Sequence, residues 1–212
     1  MKGKGMKGLP AAALLALGLT GCNVYREATT SEPPTGWSWR RVATDSDAER
    51  MRNWRKAWDA ALAPAKAEAP AAIAADPKLF DPDVALGSAM PPAGNYRCRT
   101  FKLGSQQPVT RYFTAYPAGN CTIAPRGDSL HFVKTDSEQR PDGLIYPNTD
   151  ARAMFVGVLV LGDETAPLRY GVDRKRDMIG YVERIDTARW RLVLPSPGFE
   201  SKLDVIELTP AG

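Results

Sequence analysis

One segment in the first third of the chain carries apolar residues at the spacing of an amphipathic helix. The apolar positions recur at intervals of three, four and four residues: Met51, Trp54, Trp58 and Leu62. Ser46 and Glu49 match the S-x-x-E capping box, Thr44 and Asp47 form an alternative capping pair, and Pro64 is expected to end or kink a helix. The pattern therefore predicts a helix over residues 46–63.

The tryptophans of this helix have two interpretations. Trp54 and Trp58 could cover a hydrophobic sheet, or they could lie on an anionic lipid surface together with the neighbouring basic residues. We favour helix–sheet packing, because the N-terminus offers a separate lipid anchor, described below. A short second helix is expected to start near Pro70. Residues 37–92 are assigned as a helical region that packs on the following domain.

Beyond Gly94 the chain changes to short alternating runs separated by Gly, Pro, Asp and Asn, which is typical of β-strands. Nine runs are predicted: residues 95–103, 109–117, 129–134, 143–147, 154–161, 168–172, 178–185, 189–195 and 203–208. The connections are too short for crossover helices, so the strands should form an antiparallel meander. Closure would remove the sheet edges. The expected fold is mainly β with an N-terminal helix (α+β). Residues 93–212 are expected to form a small lipocalin-like β-barrel, which the helix caps.

The run at residues 154–161 is apolar at every position, unlike the others. A strand of this kind has both faces covered. One face would point into the barrel, and the Trp54/Trp58 face of the helix is the expected cover for the other.

The N-terminus has the order of a secretory signal. Lys2, Lys4 and Lys7 form a basic head, and an apolar stretch of 11 residues, 9–19, follows it. At about 1.5 Å per helical residue, this stretch is too short to cross a hydrocarbon core of about 30 Å. The sequence predicts a signal peptide over residues 1–21. No other stretch approaches 18 apolar residues, so the mature chain is expected to lack a transmembrane helix.

The signal ends in Leu19-Thr20-Gly21-Cys22, which resembles the lipobox of bacterial lipoproteins. The resemblance implies cleavage between Gly21 and Cys22, a diacylglyceryl thioether on Cys22 and acylation of the new N-terminus. The alternatives are a plain signal peptide and an uncleaved helix that happens to end in Cys. Asn23, where an Asp would resemble an inner-membrane retention signal, favours the periplasmic leaflet of the outer membrane. Residues 22–36 are polar and are predicted to form a flexible tether.

Two cysteines remain if Cys22 carries lipid. Cys98 and Cys121 both lie in exported sequence, where oxidation is the default. We predict a disulfide between them, which would stabilise the fold by roughly 3 kcal/mol in the chain-entropy model. Two free thiols are the alternative.

Composition and charge indicate an ordinary globular protein and argue against a nucleic-acid partner. The chain has 212 residues, 43% of them hydrophobic and 25% charged, as in ordinary globular proteins. The net charge of +4 and pI of about 9.0 could suggest a nucleic-acid partner. However, three of the 28 basic residues lie in the signal, which contains no Asp or Glu, so the mature balance is 25 against 24. We therefore expect no nucleic-acid partner.

Candidate chemistry is sparse. His131 has no second His or free Cys beside it, so no metal site is expected. The chain has no GxSxG, P-loop or GxGxxG motif, and we assign neither a catalytic residue nor a cofactor. One enzymatic alternative is a carboxylate-dependent hydrolase of an envelope polymer such as peptidoglycan. Its candidate carboxylates are Glu164, Asp177, Glu183, Glu200 and Asp204.

A polar residue within a strand pattern gives the main site hypothesis. Glu183 shares one strand face with three apolar neighbours: Ile179, Tyr181 and Ile185. This face could point into the barrel. The possible interior polar or ligand site comprises Arg97, Arg140, Arg176, Asp177 and Glu183. An internal Glu–Arg pair could be a structural staple with satisfied hydrogen bonds, or it could line a ligand cavity.

Several segments of the folded part resemble one known family. They are the helix with Trp54 and Trp58 and residues 39–44, 96–99, 102–104, 139–140, 143–147, 162–164, 170–171, 176–177, 182–184 and 199–201. They resemble an uncharacterised family of Gram-negative exported and lipidated proteins catalogued as a domain of unknown function, DUF4893. The resemblance covers roughly residues 39–210, departs somewhat at residues 136–140, and carries over no activity.

The leading hypothesis is therefore a lipid-anchored, periplasm-facing envelope protein without enzymatic activity. Its helix-capped barrel would bind a small ligand or a protein partner. The carboxylate-dependent hydrolase is the alternative. A barrel interior completely filled by side chains would exclude the small-ligand version.

Overall fold

The structure, a computed structural model, describes residues 38–108 and 111–212. The predicted signal peptide, the predicted cleavage site between Gly21 and Cys22, the predicted lipidation of Cys22 and the predicted tether all lie outside these residues. None of the helices in the described ranges is long and apolar enough to cross a membrane.

Nine antiparallel strands form a single sheet in the described part of the chain. Their bounds are β1 Gly94–Leu103, β2 Phe113–Ala115, β3 Gly119–Arg126, β4 Ser129–Lys134, β5 Gln139–Tyr146, β6 Ala153–Leu161, β7 Asp177–Asp186, β8 Arg189–Pro195 and β9 Leu203–Pro210. Neighbours pair in chain order from β3 to β9, since short turns favour hairpins. β1 pairs with both β3 and β9, which closes a barrel of β1 and β3–β9. The predicted mainly-β fold with a closed antiparallel barrel is confirmed.

Three of the strand predictions differ from the structure. Residues 168–172 form loop and turn, with Gly171 at a φ of 88°. β3 is not predicted by the sequence pattern, because Gly119 and Pro125 interrupt its alternation. The run at 109–117 contributes only β2 among the described residues.

Apolar side chains pack the barrel interior over most of its length. The interior cluster includes Tyr96, Phe132, Ile145, Phe155, Val182, Trp190, Leu192 and Ile206. The rings of Phe132 and Phe155 meet edge to face at 5.9 Å. Gly143 and Gly157 pair directly across β5 and β6, and a Cβ on either would lie within 2.9 Å of the Phe155 ring. These glycines therefore leave the space that the aromatic rings fill.

The predicted disulfide is confirmed. Cys98 and Cys121 are bonded across β1 and β3, with their Cα atoms 5.9 Å apart. Both side chains belong to the interior cluster. The bond therefore links two adjacent strands inside the barrel.

Five helices precede the barrel in the described residues. They are α1 Trp39–Val42, α2 Asp45–Arg52, α3 Trp54–Glu68, α4 Pro70–Ala74 and α5 Pro77–Phe80. The single helix predicted over 46–63 is two helices, and α2 is capped by Thr44, whose hydroxyl accepts from the Asp47 N–H. Pro64 does not end α3. Burial of Ala61 and Ala65 against the barrel accounts for this, because tertiary packing outweighs a lost helical hydrogen bond.

The helices cover the outer face of the barrel. Trp58 is completely buried, and Trp54 meets the edge of Tyr181 at 5.3 Å between ring centroids. On the outer face of β6, Met154 packs in the same cluster as Trp58, whereas Val156 packs with residues of α1 and α2. The cover of the apolar strand is thus shared among three helices.

Candidate functional site

A cavity of about 610 Å³ opens at one end of the barrel. β1 pairs with β3 only as far as Cys98↔Gly119, and its last residues pair with β2 instead. The end of β1 is therefore not paired with β3, and residues 116–118 connect β2 to β3 at this point. The β4–β5 turn and the loop before β9 lie beside this connection. We call this space the mouth cavity. Its lining includes Thr100, Lys102, Tyr116, Lys134, Glu138, Gln139 and Glu200.

Two lysines project from the barrel strands into this cavity. Lys102 on β1 continues the alternation of the interior residues Tyr96 and Cys98, and Lys134 on β4 lies two residues after interior Phe132. Side chains alternate between the faces of a strand, so both lysines point inward. Both are buried.

Lys102 is shared by two carboxylates. Its Nζ lies 3.3 Å from Glu200 Oε2 and 3.4 Å from Asp204 Oδ2. Asp204 faces Lys102 directly across β1 and β9 and accepts a hydrogen bond from the Ser201 hydroxyl. Burial lowers the pKa of Lys102, but Asp204 and Glu200 outweigh burial and leave that pKa raised. Burial raises the pKa of Asp204, and the nearby Glu200 carboxylate adds to the rise, although Lys102 and Ser201 act in the opposite direction.

Lys134 contacts a carboxylate on the β4–β5 turn. Its Nζ donates to the Asp136 carboxylate at 2.6 Å and to the Asp136 carbonyl at 2.7 Å. The same carboxylate accepts from the Asn120 N–H at 2.7 Å and lies over Gly119, where a Cβ would come 2.0 Å from Oδ1. Burial raises the pKa of Asp136, but the hydrogen bonds from Lys134 and Asn120 outweigh it and leave the pKa lowered.

Backbone strain marks both loops at the cavity. Ser137, on the β4–β5 turn, has a φ of 116°, and Glu200, before β9, has a φ of 63°. Positive φ is costly for residues other than glycine, and such strain is concentrated at functional sites. The Gln139 amide reaches Glu200 Oε1 at 3.4 Å, and Gln106 donates to carbonyls of the second loop at 2.5 and 2.7 Å. The strained loops are therefore held in place by amide side chains.

The charges of the mouth cavity are arranged by depth. The side chains of Lys102 and Lys134 are 9% and 5% exposed, whereas those of Glu200 and Asp136 are 54% and 41% exposed. Glu138 is also exposed. Among the residues that line the cavity, the inner wall is thus cationic and the rim acidic. A neighbouring space of about 430 Å³, which Arg111 also lines, shares Lys102, Tyr116 and Glu200 with the cavity.

Glu183 does not point into the barrel, and its predicted interior position is wrong. It shares a face with Ile179, Tyr181 and Ile185 as expected, but that face is the outer one, under the helices. Its carboxylate accepts from Arg191 Nη2 at 2.6 Å and Nε at 2.9 Å, and from Arg152 Nε at 2.5 Å. Arg191 also donates to the carbonyls of residues 78, 79, 81 and 84. The pair is a staple between barrel and helical layer.

The three arginines expected beside Glu183 contact other groups. Arg97 donates to the Asn120 amide and the Ala118 carbonyl, and it is exposed. Arg140 donates to the carbonyls of Ser137, Gly162 and Glu164. Arg176 donates to the Leu159 carbonyl and the Glu164 carboxylate. None of the three lines the mouth cavity.

Asp177 lies under α2, apart from the mouth cavity. Its Oδ1 accepts from the Gly171 N–H at 2.9 Å, and its buried Oδ2 has no hydrogen-bond partner among the described residues. Burial raises the pKa of Asp177 to about 6, and the nearby carboxylate of Asp47 adds to the rise. Asp47 itself accepts from Arg50 and from the Tyr170 hydroxyl. This group ties the loop before β7 to α2.

The described residues contain no group of three His, Cys, Asp or Glu side chains that could hold a metal ion. His131 Nε2 lies 2.7 Å from Asp142 Oδ1 on the neighbouring strand. This cross-strand contact gives the histidine a structural role.

Sequence reasoning identified Glu200 and Asp204 only as members of a set of carboxylates, and it missed Lys102, Lys134 and Asp136. A signal for the lysines was present, because each continues the alternation of interior apolar residues on its strand. No local pattern indicates that these two strands bring their lysines to one cavity.

Fold and site together define a closed eight-stranded antiparallel β-barrel protein with a cavity at one end that is lined by charged and apolar side chains. The family model described as Domain of unknown function (DUF4893) matches residues 39–208, and the chain belongs to this family. No curated protein and no solved structure matches the chain.

Proposed function

We propose that this protein is a lipid-anchored envelope protein whose barrel binds a small ligand in the mouth cavity. The observation that carries the proposal is a space of about 610 Å³ in a barrel that is otherwise packed. Small-molecule sites commonly enclose about 300–1,000 Å³ and combine apolar walls with a few placed polar groups. Binding also gives a role to Lys102 and Lys134, because buried ion pairs contribute little stability compared with apolar packing.

A wall-filling substitution tests this proposal. Ala118→Trp places an indole at the cavity wall, and Ala71→Trp on exposed α4 is the matched control. Native mass spectrometry after incubation with cell extract should show a bound small molecule on the wild-type and control proteins only. The small-ligand proposal fails if no protein acquires a ligand or if Ala118→Trp retains it. A protein retained by all three would indicate the protein-partner version instead.

The lipid anchor is part of the proposal and rests on the lipobox. Lipidation of Cys22 would hold the chain at the periplasmic leaflet of the outer membrane. Cys22→Ser should move the protein from the membrane fraction to the soluble fraction, and Ser31→Ala should not. Density-gradient separation of the two membranes tests the outer-membrane assignment. A Cys22→Ser protein that stays in the membrane fraction would contradict anchoring by lipid.

A carboxylate-dependent hydrolase is the second candidate. It is favoured by the contacts of Glu200 and Asp204 with one ammonium group and by the raised pKa of Asp204, which suits a general acid. Against it, Asp204 does not line the cavity and is engaged by Lys102 and Ser201. Fragment release from purified peptidoglycan that is lost in Glu200→Gln and kept in Glu164→Gln would support the hydrolase. No release by the wild type would count against it.

A further inference from the structure

We infer that the mouth cavity takes a small zwitterion, an amino acid or short peptide with both a carboxylate and an ammonium group. The inference rests on the proposed function and specifies its ligand class. It follows from the separation of charge by depth among the lining residues: the two ammonium groups lie in the inner wall and the three carboxylates lie at the rim. The buried Asp204 contacts Lys102 but does not line the cavity.

The inner wall is suited to a carboxylate. Lys102 and Lys134 each carry three N–H donors, and the contacts that each makes with the described residues engage two acceptors. The contacts of Lys102 at 3.3 and 3.4 Å are also longer than the 2.7–2.9 Å typical of charge-assisted hydrogen bonds. A ligand carboxylate can accept the remaining N–H from each lysine without breaking the present contacts.

The rim is suited to an ammonium group. Glu138, Glu200 and Asp136 give the lining three negative charges against the two lysines, so a ligand with only negative charge meets a net repulsion. An ammonium group at the outer end converts this excess into attraction. Glu138 and Glu200 are the accessible acceptors, since both are exposed at the cavity edge.

The lining also has an apolar part, to which Tyr116, Pro117 and Ala118 contribute. It can contact the side chains and backbone of a dipeptide. A volume of about 610 Å³ is larger than a single amino acid needs, so a short peptide is the better fit.

Three peptides with the same two alanine residues separate the two charges. Alanyl-alanine carries both, N-acetyl-alanyl-alanine lacks the ammonium group, and alanyl-alanine amide lacks the carboxylate. Isothermal titration calorimetry on the purified full chain at pH 7 should show that alanyl-alanine binds at least about tenfold more tightly than either capped form. A charged hydrogen bond is typically worth a change of this size.

Two substitutions assign the ends of the ligand. Lys134→Met should weaken the binding of alanyl-alanine about tenfold and leave the binding of the amide unchanged. Glu138→Gln should weaken the binding of alanyl-alanine but not that of the acetylated peptide. Both variants should fold. Asp136, which loses its partner in Lys134→Met, reaches solvent, and Glu138 is itself exposed. Circular dichroism checks the fold. Lys78→Met, at an exposed position of α5, is the control and should bind alanyl-alanine like the wild type.

Equal binding of the three peptides, or unchanged binding by Lys134→Met, would overturn the zwitterion inference. Tightest binding of a singly charged peptide would also overturn it, while leaving a ligand site in place. If no peptide binds but Ala118→Trp excludes another ligand taken from extract, the zwitterion class is wrong and the proposed function stands. If no peptide binds and no ligand from extract is excluded by Ala118→Trp, the zwitterion inference and the proposed function are both wrong.

Discussion

The barrel wall carries two buried charge clusters, one on each face, and they differ in how completely their groups are paired. On the outer face, Arg191 contacts Glu183 through two nitrogen atoms and donates its remaining hydrogen bonds to backbone carbonyls. On the inner face, Lys102 makes two long contacts beside an open cavity. A fully satisfied network holds two layers together, whereas an incompletely paired one is able to bind a ligand.

The helical layer is the physical cause of this difference. The Arg191 guanidinium lies 4.9 Å from the Trp58 ring centroid, and Arg152 lies between Trp54 and Tyr181. These aromatic rings help to cover the outer cluster, in which the side chains of Arg191 and Glu183 are completely buried. Nothing comparable covers the mouth cavity in the described residues, so its rim carboxylates reach solvent.

The largest effect is expected from removing the cation of the outer cluster. Arg191→Met leaves the Glu183 carboxylate buried with only Arg152 and frees four carbonyl groups, so it should lower the free energy of unfolding by about 4–5 kcal/mol. Urea denaturation measures the loss. Arg55→Met, which removes an exposed ion pair with Asp83, should have a far smaller effect, because exposed ion pairs contribute little stability. Equal losses would show that the outer pair is no staple.

Opening the helical layer should have the next largest effect. Trp58→Ala removes the fully buried ring under Arg191 and should lower the free energy of unfolding by about 3–4 kcal/mol. Trp54→Ala should cost less, because Trp54 is only partly buried. The measurement is again urea denaturation. An unchanged stability in Trp58→Ala would contradict the view that the layer seals the cluster.

Asp177 shows what burial does to a carboxylate without a paired cation. Its pKa of about 6 lies above the usual value, so the folded state binds the proton more tightly and its stability falls as pH rises from about 4 through about 6. Asp177→Asn should therefore be more stable than wild type by about 2–3 kcal/mol at pH 8 and nearly equal at pH 4. Thermal or urea unfolding at the two pH values measures this. A difference that does not depend on pH, or one also seen in the exposed Asp163→Asn, would contradict it.

The smallest effect on stability is expected at the mouth. Lys102→Met combined with Asp204→Asn removes one charge of each sign and should change the free energy of unfolding by less than about 1 kcal/mol. The same variant should lose affinity for alanyl-alanine. A loss of stability as large as that of Arg191→Met would assign Lys102 a structural role. It would contradict the view that only the outer cluster stabilises the fold.

Glu183 shows the limit of reasoning from alternation. Strand periodicity identified its neighbours on the face correctly, because side chains alternate strictly along a strand. Periodicity does not state which face is inside, and here a helical layer makes both faces apolar. The same ambiguity hid the lysines, since Lys102 and Lys134 resemble solvent-exposed residues until closure of the sheet places them inside.

Pro64 shows a similar limit for the helices. A proline within a helix removes one hydrogen bond and usually ends the helix. Around Pro64, the burial of Ala61 and Ala65 on the barrel keeps α3 intact to Glu68. Local preference was outweighed by contacts that only the folded chain makes.

The sequence by itself determined several features of the fold. Periodicity and short turns predicted most strands, their antiparallel hairpins and the barrel class. The number of cysteines predicted the Cys98–Cys121 disulfide, and the resemblance of several segments predicted the family. The mouth cavity required the tertiary structure. Barrel closure brings Lys102 of β1 into contact with Asp204 of β9, and it places Lys102, Lys134, Asp136 and Glu200 around one cavity.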